Sequence, residues 1–411
     1  MTAGTRTGDE RAMAAADRQA RDERARLALS FAAFILIGLN DGVVGVLLPS
    51  VIAHYHISTA TVGLLFPASS LGYLVAAFNS GGLLERLGRR GFLGLGAGVW
   101  MVGLLVFATL PPFAALLPAL FGVGFGVAII DAGLNAYIAG LPRGASLLNY
   151  LHAFYGVGAL LGPLLATAML TNVFGWNATY YALALGVAAA LLGVLLRFER
   201  RRARTVERHD EAAGGLLRAA LSSPLLWLSA FFLLVYVGVE VSLGAWSYSL
   251  LTVTRAVPRL DAGWMVSGYW LGLTLGRFVL ARLVERVGPQ RMIQWLTGGV
   301  IAGVALVWIA PPSGWALAAA GLWLVGFSLG PIFPSVIAVI SAVTSERLRQ
   351  SAIGFAASLG SMGAALFPWV AANLAQRLGL WSLLPYVAAL SLVMLGLWLW
   401  LRRGLHATPG G

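Results

Sequence analysis

Twelve stretches of this 411-residue chain stay apolar for about twenty residues or more, and that repetition leaves few folds open to it. As an α-helix, each stretch is long enough to cross a hydrocarbon layer about 30 Å thick. Lipid offers no hydrogen bonds, so backbone N–H and C=O groups at that depth must be satisfied within helices. The chain is 59% hydrophobic and 11% charged, about half the charge a soluble domain carries. The expected class is an all-α membrane protein with twelve transmembrane helices.

The apolar blocks run over 27–53, 60–84, 91–111, 113–140, 147–171, 177–197, 224–252, 262–284, 291–311, 314–343, 350–376 and 382–401, taken below as spans 1 to 12. Spans 3 and 4 meet at Pro111-Pro112, and spans 9 and 10 at Pro311-Pro312, which read as tight re-entry turns. Twelve crossings put both termini on one side. All 28 basic residues are Arg; 24 fall in the tails and the loops on the terminus side, against Arg255, Arg259 and Arg377 on the other. Positive charge collects on the cytoplasmic side of membrane proteins, so both termini are expected in the cytoplasm of a bacterial inner membrane. The expected organisation is a disordered cytoplasmic tail at 1–26, a six-helix bundle at 27–197, a cytoplasmic linker at 198–222, a second bundle at 223–402 and a short tail at 403–411.

Several functions are excluded or disfavoured on the same grounds. The net charge of +12 lies at the membrane rim, where it serves topology rather than nucleic acid. There is no Cys, hence neither a disulfide nor a thiolate metal site, and no nucleophile motif or phosphate loop. The reading is of a non-enzyme without metal or cofactor, whose partners are the bilayer and a small solute.

The two halves resemble each other at an offset of about 200 residues. Leu84-Glu85-Arg86-Leu87-Gly88 matches Val284-Glu285-Arg286-Val287-Gly288, and Val123-Gly124-Phe125 matches Val325-Gly326-Phe327. Gly158 and Pro163 match Gly363 and Pro368, and Asp41 nearly matches Glu240. Four matches in one order indicate a duplicated six-helix unit. Gly81-Gly82-Leu83-Leu84-Glu85-Arg86-Leu87-Gly88-Arg89-Arg90 resembles the loop 2–3 signature of the major facilitator superfamily, with Glu85 where that signature has Asp. This resemblance implies a facilitator fold of two pseudo-symmetric six-helix bundles, commonly monomeric. It implies a gating role for Gly81, Glu85, Arg86, Gly88, Arg89 and Arg90, and for Glu285 and Arg286 in the second copy. Such a charge cluster can hold the inner gate shut in one conformer and separate in the other.

Within the superfamily the chain resembles the fucose–galactose–glucose:proton symporter family and the related sodium-dependent glucose transporters. Leu39-Asn40-Asp41, Tyr236-Val237-Gly238-Val239-Glu240 with Trp246, and Tyr269-Trp270-Leu271-Gly272-Leu273-Thr274-Leu275-Gly276-Arg277 carry the likeness. It implies that Asp41 serves proton coupling and that Asp131 stands where that branch has a span-4 glutamate. Glu240 replaces an amide of the fucose branch and resembles the sodium–glucose group, which leaves protons and sodium both open.

Formal charge well inside the spans is confined to Asp41, Asp131, Glu240 and Arg277. At the bilayer centre each costs at least about 2.5 kcal/mol, so each should face a wet cavity or a partner. Low dielectric disfavours the ionised form of a carboxylate, which makes the three acids candidates for loading and releasing a proton. Arg277 is read as a gating or helix-pairing residue. A sugar needs planar side chains to stack on and amide, carboxylate or imidazole groups for its hydroxyls. Asn40, Asn79, Asn135, His152, Tyr155, Trp246 and Trp270 are the candidates for substrate contact. Asp131 and Asn135 share a helix face at i, i+4; Asn149, His152 and Tyr155 share another at spacings of three. His152 and Tyr155 fall where the fucose branch has cavity-lining amides, so sugar identity does not carry over. Trp398 and Trp400 read as lipid-facing belt residues. The Gly330-Pro331-Ile332-Phe333-Pro334 break in span 10 frees backbone carbonyls and suits a gating helix.

The function these features point to is secondary active, proton-coupled import of a small polar solute, a monosaccharide in the leading reading, by alternating access. Gly158-Ala159-Leu160-Leu161-Gly162-Pro163 partly resembles an antiporter signature. The alternatives are therefore a proton-coupled efflux antiporter for amphipathic compounds and a sodium-coupled sugar symporter.

Overall fold

The structure, a computed structural model, describes residues 3–172, 174–199, 222–311 and 313–407. Most of the expected 198–222 linker lies outside the described residues. Among the described residues every element is a helix.

Ten helices are long and apolar enough to cross a membrane. One of them, Thr59–Ala108, has 50 residues and would be about 75 Å long if straight, far more than one crossing needs. It breaks at Gly88, whose φ of 64° and ψ of 169° are non-helical, and so supplies spans 2 and 3. Arg259–Val279, which is outside the ten and carries Arg259, Asp261 and Arg277, packs between other spans as span 8. Twelve crossings result, as the apolar blocks require. Span 9 ends at Ile309 and span 10 restarts at Trp315, with Pro312 outside the described residues. Span 3 ends at Ala108 and span 4 begins at Phe113, so Pro111-Pro112 is a re-entry turn.

The duplication is visible in the backbone. Gly288, after span 8, has φ 90°, and only glycine adopts such angles without strain, so Gly88 and Gly288 turn the chain at equivalent places. Span 1 packs on span 5 and span 2 on span 4; in the second half span 7 packs on span 11 and span 8 on span 10. Apolar burial does not drive helices together in lipid, so close packing of small residues must do it. A Cβ added at Gly124 would lie 1.9 Å from the Ser69 carbonyl oxygen, and one at Gly326 would lie 2.0 Å from that of Tyr269.

The halves touch through spans 1 and 7, 2 and 11, and 5 and 8. Gly45 packs on the backbone of Gly244 and Ala245, Gly63 on Ala372 and Gly263 on Thr167. The Thr59 amide donates to Gln376 Oε1 at 2.9 Å. All of these contacts lie toward the membrane face opposite the termini. Gly156 against Thr274 marks the contact nearest mid-depth. The molecule is therefore closed on the face opposite the termini.

The first helix runs Ala3–Tyr55, and one expectation, at Trp398, is corrected. No proline lies before Pro49, and the segment is tied to the end of span 6. Arg26 Nε donates to the Arg197 carbonyl at 2.9 Å, and Arg26–Glu199 and Arg197–Asp22 are ion pairs of 3.3 Å. Trp398 is not lipid-facing; it is 0% exposed and packs on Phe232 with ring centroids 5.8 Å apart, whereas Trp400 is 64% exposed. The two lie two residues apart and so point about 200° apart around a helix, and only one can face lipid.

Gly124→Val should lower the thermal midpoint of the purified protein sharply, at a cost of about 3 kcal/mol or more, because backbone rather than a movable side chain blocks the new atoms. Gly98→Val, where an added Cβ meets nothing within 4 Å, should leave the midpoint nearly unchanged. Thermal unfolding followed by size-exclusion chromatography compares the two.

Candidate functional site

Asn40 and Asp41 sit near the middle of span 1, where two cavities meet. The larger, of about 360 Å³, lies between the halves on the terminus side and is lined by Asn40, Asp41, Tyr73, Asp131, His152, Tyr155 and Arg277, among others. The smaller, of about 210 Å³, continues toward the closed face. Asn40, Asp41, Ser69, Ser70, Tyr155 and Ala364 border both.

Each acid of the first half is held by a tyrosine and an amide. Tyr155 donates to Asp41 Oδ2 at 2.9 Å, and the Asn40 amide to Asp41 Oδ1 at 3.3 Å. Asn40 is steadied in turn by the Trp100 indole, which donates to its Oδ1 at 3.4 Å. Tyr73 donates to Asp131 Oδ2 at 2.8 Å, and Asn135 to Asp131 Oδ1 at 2.8 Å and to its carbonyl at 2.9 Å. Asp41 and His152 are exposed despite their depth in the chain's spans, so the cavity reaches them. The edge of His152 also meets the Phe34 ring, with centroids 5.5 Å apart.

The second half contributes one ion pair. Arg277 Nη2 lies 4.0 Å from Glu240 Oε1, which supplies the partner that the sequence leaves unnamed. Arg277 Nε also donates to the Gly330 carbonyl at 3.3 Å. Pro334, four residues on, has no N–H for that carbonyl, so the break in span 10 makes an acceptor for the arginine. The Glu240 carbonyl accepts from Tyr269 at 2.8 Å. The glutamate is thus fixed from its backbone as well as its side chain.

The structure brings Asn40, Asp41, Asp131, His152, Tyr155, Glu240, Trp270 and Arg277 to the cavities. Asn135 supports Asp131 from behind. Asn79 does not join them: its amide caps its own helix at the Val75 carbonyl, 2.7 Å away, and it lines neither cavity. Trp246 is also out of place for substrate contact. It is 1% exposed and its indole donates to the Pro368 carbonyl at 3.0 Å, joining spans 7 and 11. Trp270 borders the smaller cavity but is 5% exposed, with its indole N–H unpartnered among the described residues.

At the terminus-side rim, Gly81, Glu85 and Arg86 are exposed on the end of span 2. Among the described residues Glu85, Arg86, Arg90, Glu285 and Arg286 make no ion pair, while Arg89 sits over the Tyr137 ring at 5.1 Å. The rim is separated in this conformer, in keeping with closure at the other face. Sequence reasoning missed Ser69, Ser70 and Tyr73. Ser69 and Tyr73 are i, i+4 on span 2, a polar stripe in an apolar helix that was there to be read. Trp100 carried no signal, because its role depends on where span 3 crosses span 1.

Comparison with known proteins agrees with this architecture. The protein "Bypass of stop codon protein 6" of Saccharomyces cerevisiae is 26% identical over 382 residues, covering 84% of this chain and 76% of that one. The glucose/mannose transporter GlcP of Bacillus subtilis is 20% identical over 343 residues, covering 81% and 84%. The crystal structure of the nucleoside transporter NupG superimposes with a TM-score of 0.79 at 14% identity, covering 93% of this chain and 99% of that chain. The model of the Major Facilitator Superfamily matches residues 30–257 and 241–410, and with two mirrored six-helix halves the chain belongs to that superfamily, as a multi-pass membrane protein.

Proposed function

We propose that the protein is a proton-coupled secondary transporter that imports a small polar solute of the monosaccharide class. The observation that carries this reading is Asp41. Its carboxylate borders both cavities at mid-depth and is held by Tyr155 and Asn40 rather than by a cation. A group so placed can take a proton from one side and release it to the other as the halves rock. Glu240 has Arg277 beside it, so its charge is balanced locally. Asp131 accepts from hydroxyl and amide donors, with the His152 imidazole near enough to interact with its charge, and is the second candidate for a transferable proton.

The larger cavity supports a polar solute. Its lining offers serine and tyrosine hydroxyls, an imidazole, two carboxylates and a guanidinium, donors and acceptors of the kind that sugar hydroxyls need. The name of the Bacillus subtilis relative, a glucose/mannose transporter, points the same way. With the Arg-rich side in the cytoplasm, the present conformer faces inward, and import ends with release from the larger cavity.

Asp41→Asn should abolish accumulation of solute against its gradient while leaving counterflow measurable, because the amide keeps the hydrogen bond from Tyr155 but carries no proton to release. Proteoliposomes with radiolabelled solute read both, and an internal pH indicator reads the accompanying proton movement. Undiminished uphill uptake by the variant rules out this role for Asp41, and proton release coupled to export reverses the direction.

The Thr59–Gln376 contact provides a second test, aided by a chain without Cys. Thr59→Cys combined with Gln376→Cys, bridged by a short bis-methanethiosulfonate, should stop transport by more than tenfold, with recovery on reduction. Full activity of the bridged protein means that this face does not have to open.

A further inference from the structure

The smaller cavity is built for something a bare sugar does not have. Beyond the border shared with the larger cavity, its walls are Leu48 and Val51 of span 1, Phe66 of span 2, Leu104 and Phe107 of span 3 and Leu120 of span 4, with further apolar neighbours. Leu48, Leu104 and Phe107 are at most 1% exposed, and Phe107 is backed by Tyr180 at a ring-centroid distance of 4.2 Å. Sugar hydroxyls pushed into such walls lose water without gaining partners, at roughly 1–3 kcal/mol each. At about 210 Å³ it has room for the aromatic ring that apolar cavities of about 150 Å³ take up, although its lining also carries the Glu240 carboxylate and the Trp270 indole, whose N–H is unpartnered among the described residues.

Its position separates it from a closed-off entrance. An entrance vestibule lies between the halves, whereas this cavity reaches spans 3 and 6, through Leu104, Phe107 and Tyr180, inside the first bundle. Glu240, Val241, Gly244, Ala245 and Trp270 cover it from the second half. A group seated there rests mainly against the first bundle, with the second half as its cover.

We propose that the transported solute carries an apolar group about the size of one aromatic ring, which occupies this cavity while the polar head sits at Asn40, Asp41 and Tyr155. On the sugar reading of the larger cavity, on which this rests, the substrate class is a glycoside with an apolar aglycone rather than a free monosaccharide.

The test uses the full chain in lipid nanodiscs, free of detergent that would compete for an apolar site. Titration calorimetry compares methyl and phenyl β-glycosides of glucose, galactose, mannose and fucose, together with benzyl alcohol. At least one phenyl glycoside should bind tenfold or more tightly than its methyl counterpart. Leu48→Trp, which fills the cavity, should reduce that ratio to within twofold, and Leu104→Phe serves as a second filling variant should Leu48→Trp not elute as a single species. Equal affinity for phenyl and methyl glycosides overturns the proposal, as does a phenyl preference that survives both variants. Benzyl alcohol binding that Leu48→Trp abolishes, with no glycoside bound, upholds the apolar compartment and removes the sugar head. Absence of binding by every probe overturns both.

Discussion

A carboxylate halfway across a bilayer must be solvated by something other than lipid, and at Asp41 the substitute is a tyrosine hydroxyl, an amide and a cavity. The rest of the site is arranged around that need. Asn40 orients the carboxylate, and Trp100 orients Asn40 from span 3, so three helices of one bundle converge on a single charge. An acid held by neutral donors keeps both protonation states within reach, because neither hydrogen bond demands a fixed negative charge as an arginine does. The second half solves the same problem in the other way, by giving Glu240 the guanidinium of Arg277. The two halves place an acid each beside the cavities, and on the proposed function their different neighbours divide the work between a charge that can change, at Asp41, and one that stays balanced, at Glu240.

Breaks in the helices supply partners as well as bends. Pro334 leaves the Gly330 carbonyl without its helical donor, and Arg277 takes it. Around Pro368 the carbonyls of Phe367 and Pro368 accept from Tyr386 and Trp246. Spans 7, 11 and 12 are thereby tied together. In hydrocarbon, where each unpaired carbonyl is expensive, a proline is tolerable only if a neighbouring helix supplies a donor. A side chain bound to a neighbouring backbone is fixed whether or not a proline freed that carbonyl, and Trp246, 1% exposed and bonded to the Pro368 carbonyl, packs as part of the scaffold.

What the sequence made legible follows the reach of each physical signal. Span number and the duplicated halves are set by local apolar length and by repeated motifs, and these can be read residue by residue. The acids inside the spans were equally visible, since charge inside an apolar block has few explanations. Asn79 and Trp246 went astray because a polar or aromatic side chain in a span has two outlets, its own backbone or a neighbouring helix on one hand and a cavity on the other. Only the rotation of the helix decides between them. Trp398 failed for the same reason against its neighbour Trp400. The partner of Arg277 and the support from Trp100 depend on contacts between distant segments, and no periodicity carries that information.

The apolar compartment changes how specificity and movement relate in such a molecule. A polar head bound between the halves must exchange partners as they rock, so its contacts cannot all be optimised at once. On the proposal above, an apolar group would rest mainly against spans 1 to 4 and 6 of the first bundle, with spans 7, 8 and 11 of the second half closing the cavity over it. Dispersion and apolar burial gained there serve to select the solute. The contacts that differ between conformers remain with Asp41, Glu240 and their partners, where a proton or a charge pair can respond. On this proposal recognition and coupling fall to different cavities that share one border, and the residues on that border, Asn40, Asp41 and Tyr155, are where a change in one would be felt by the other.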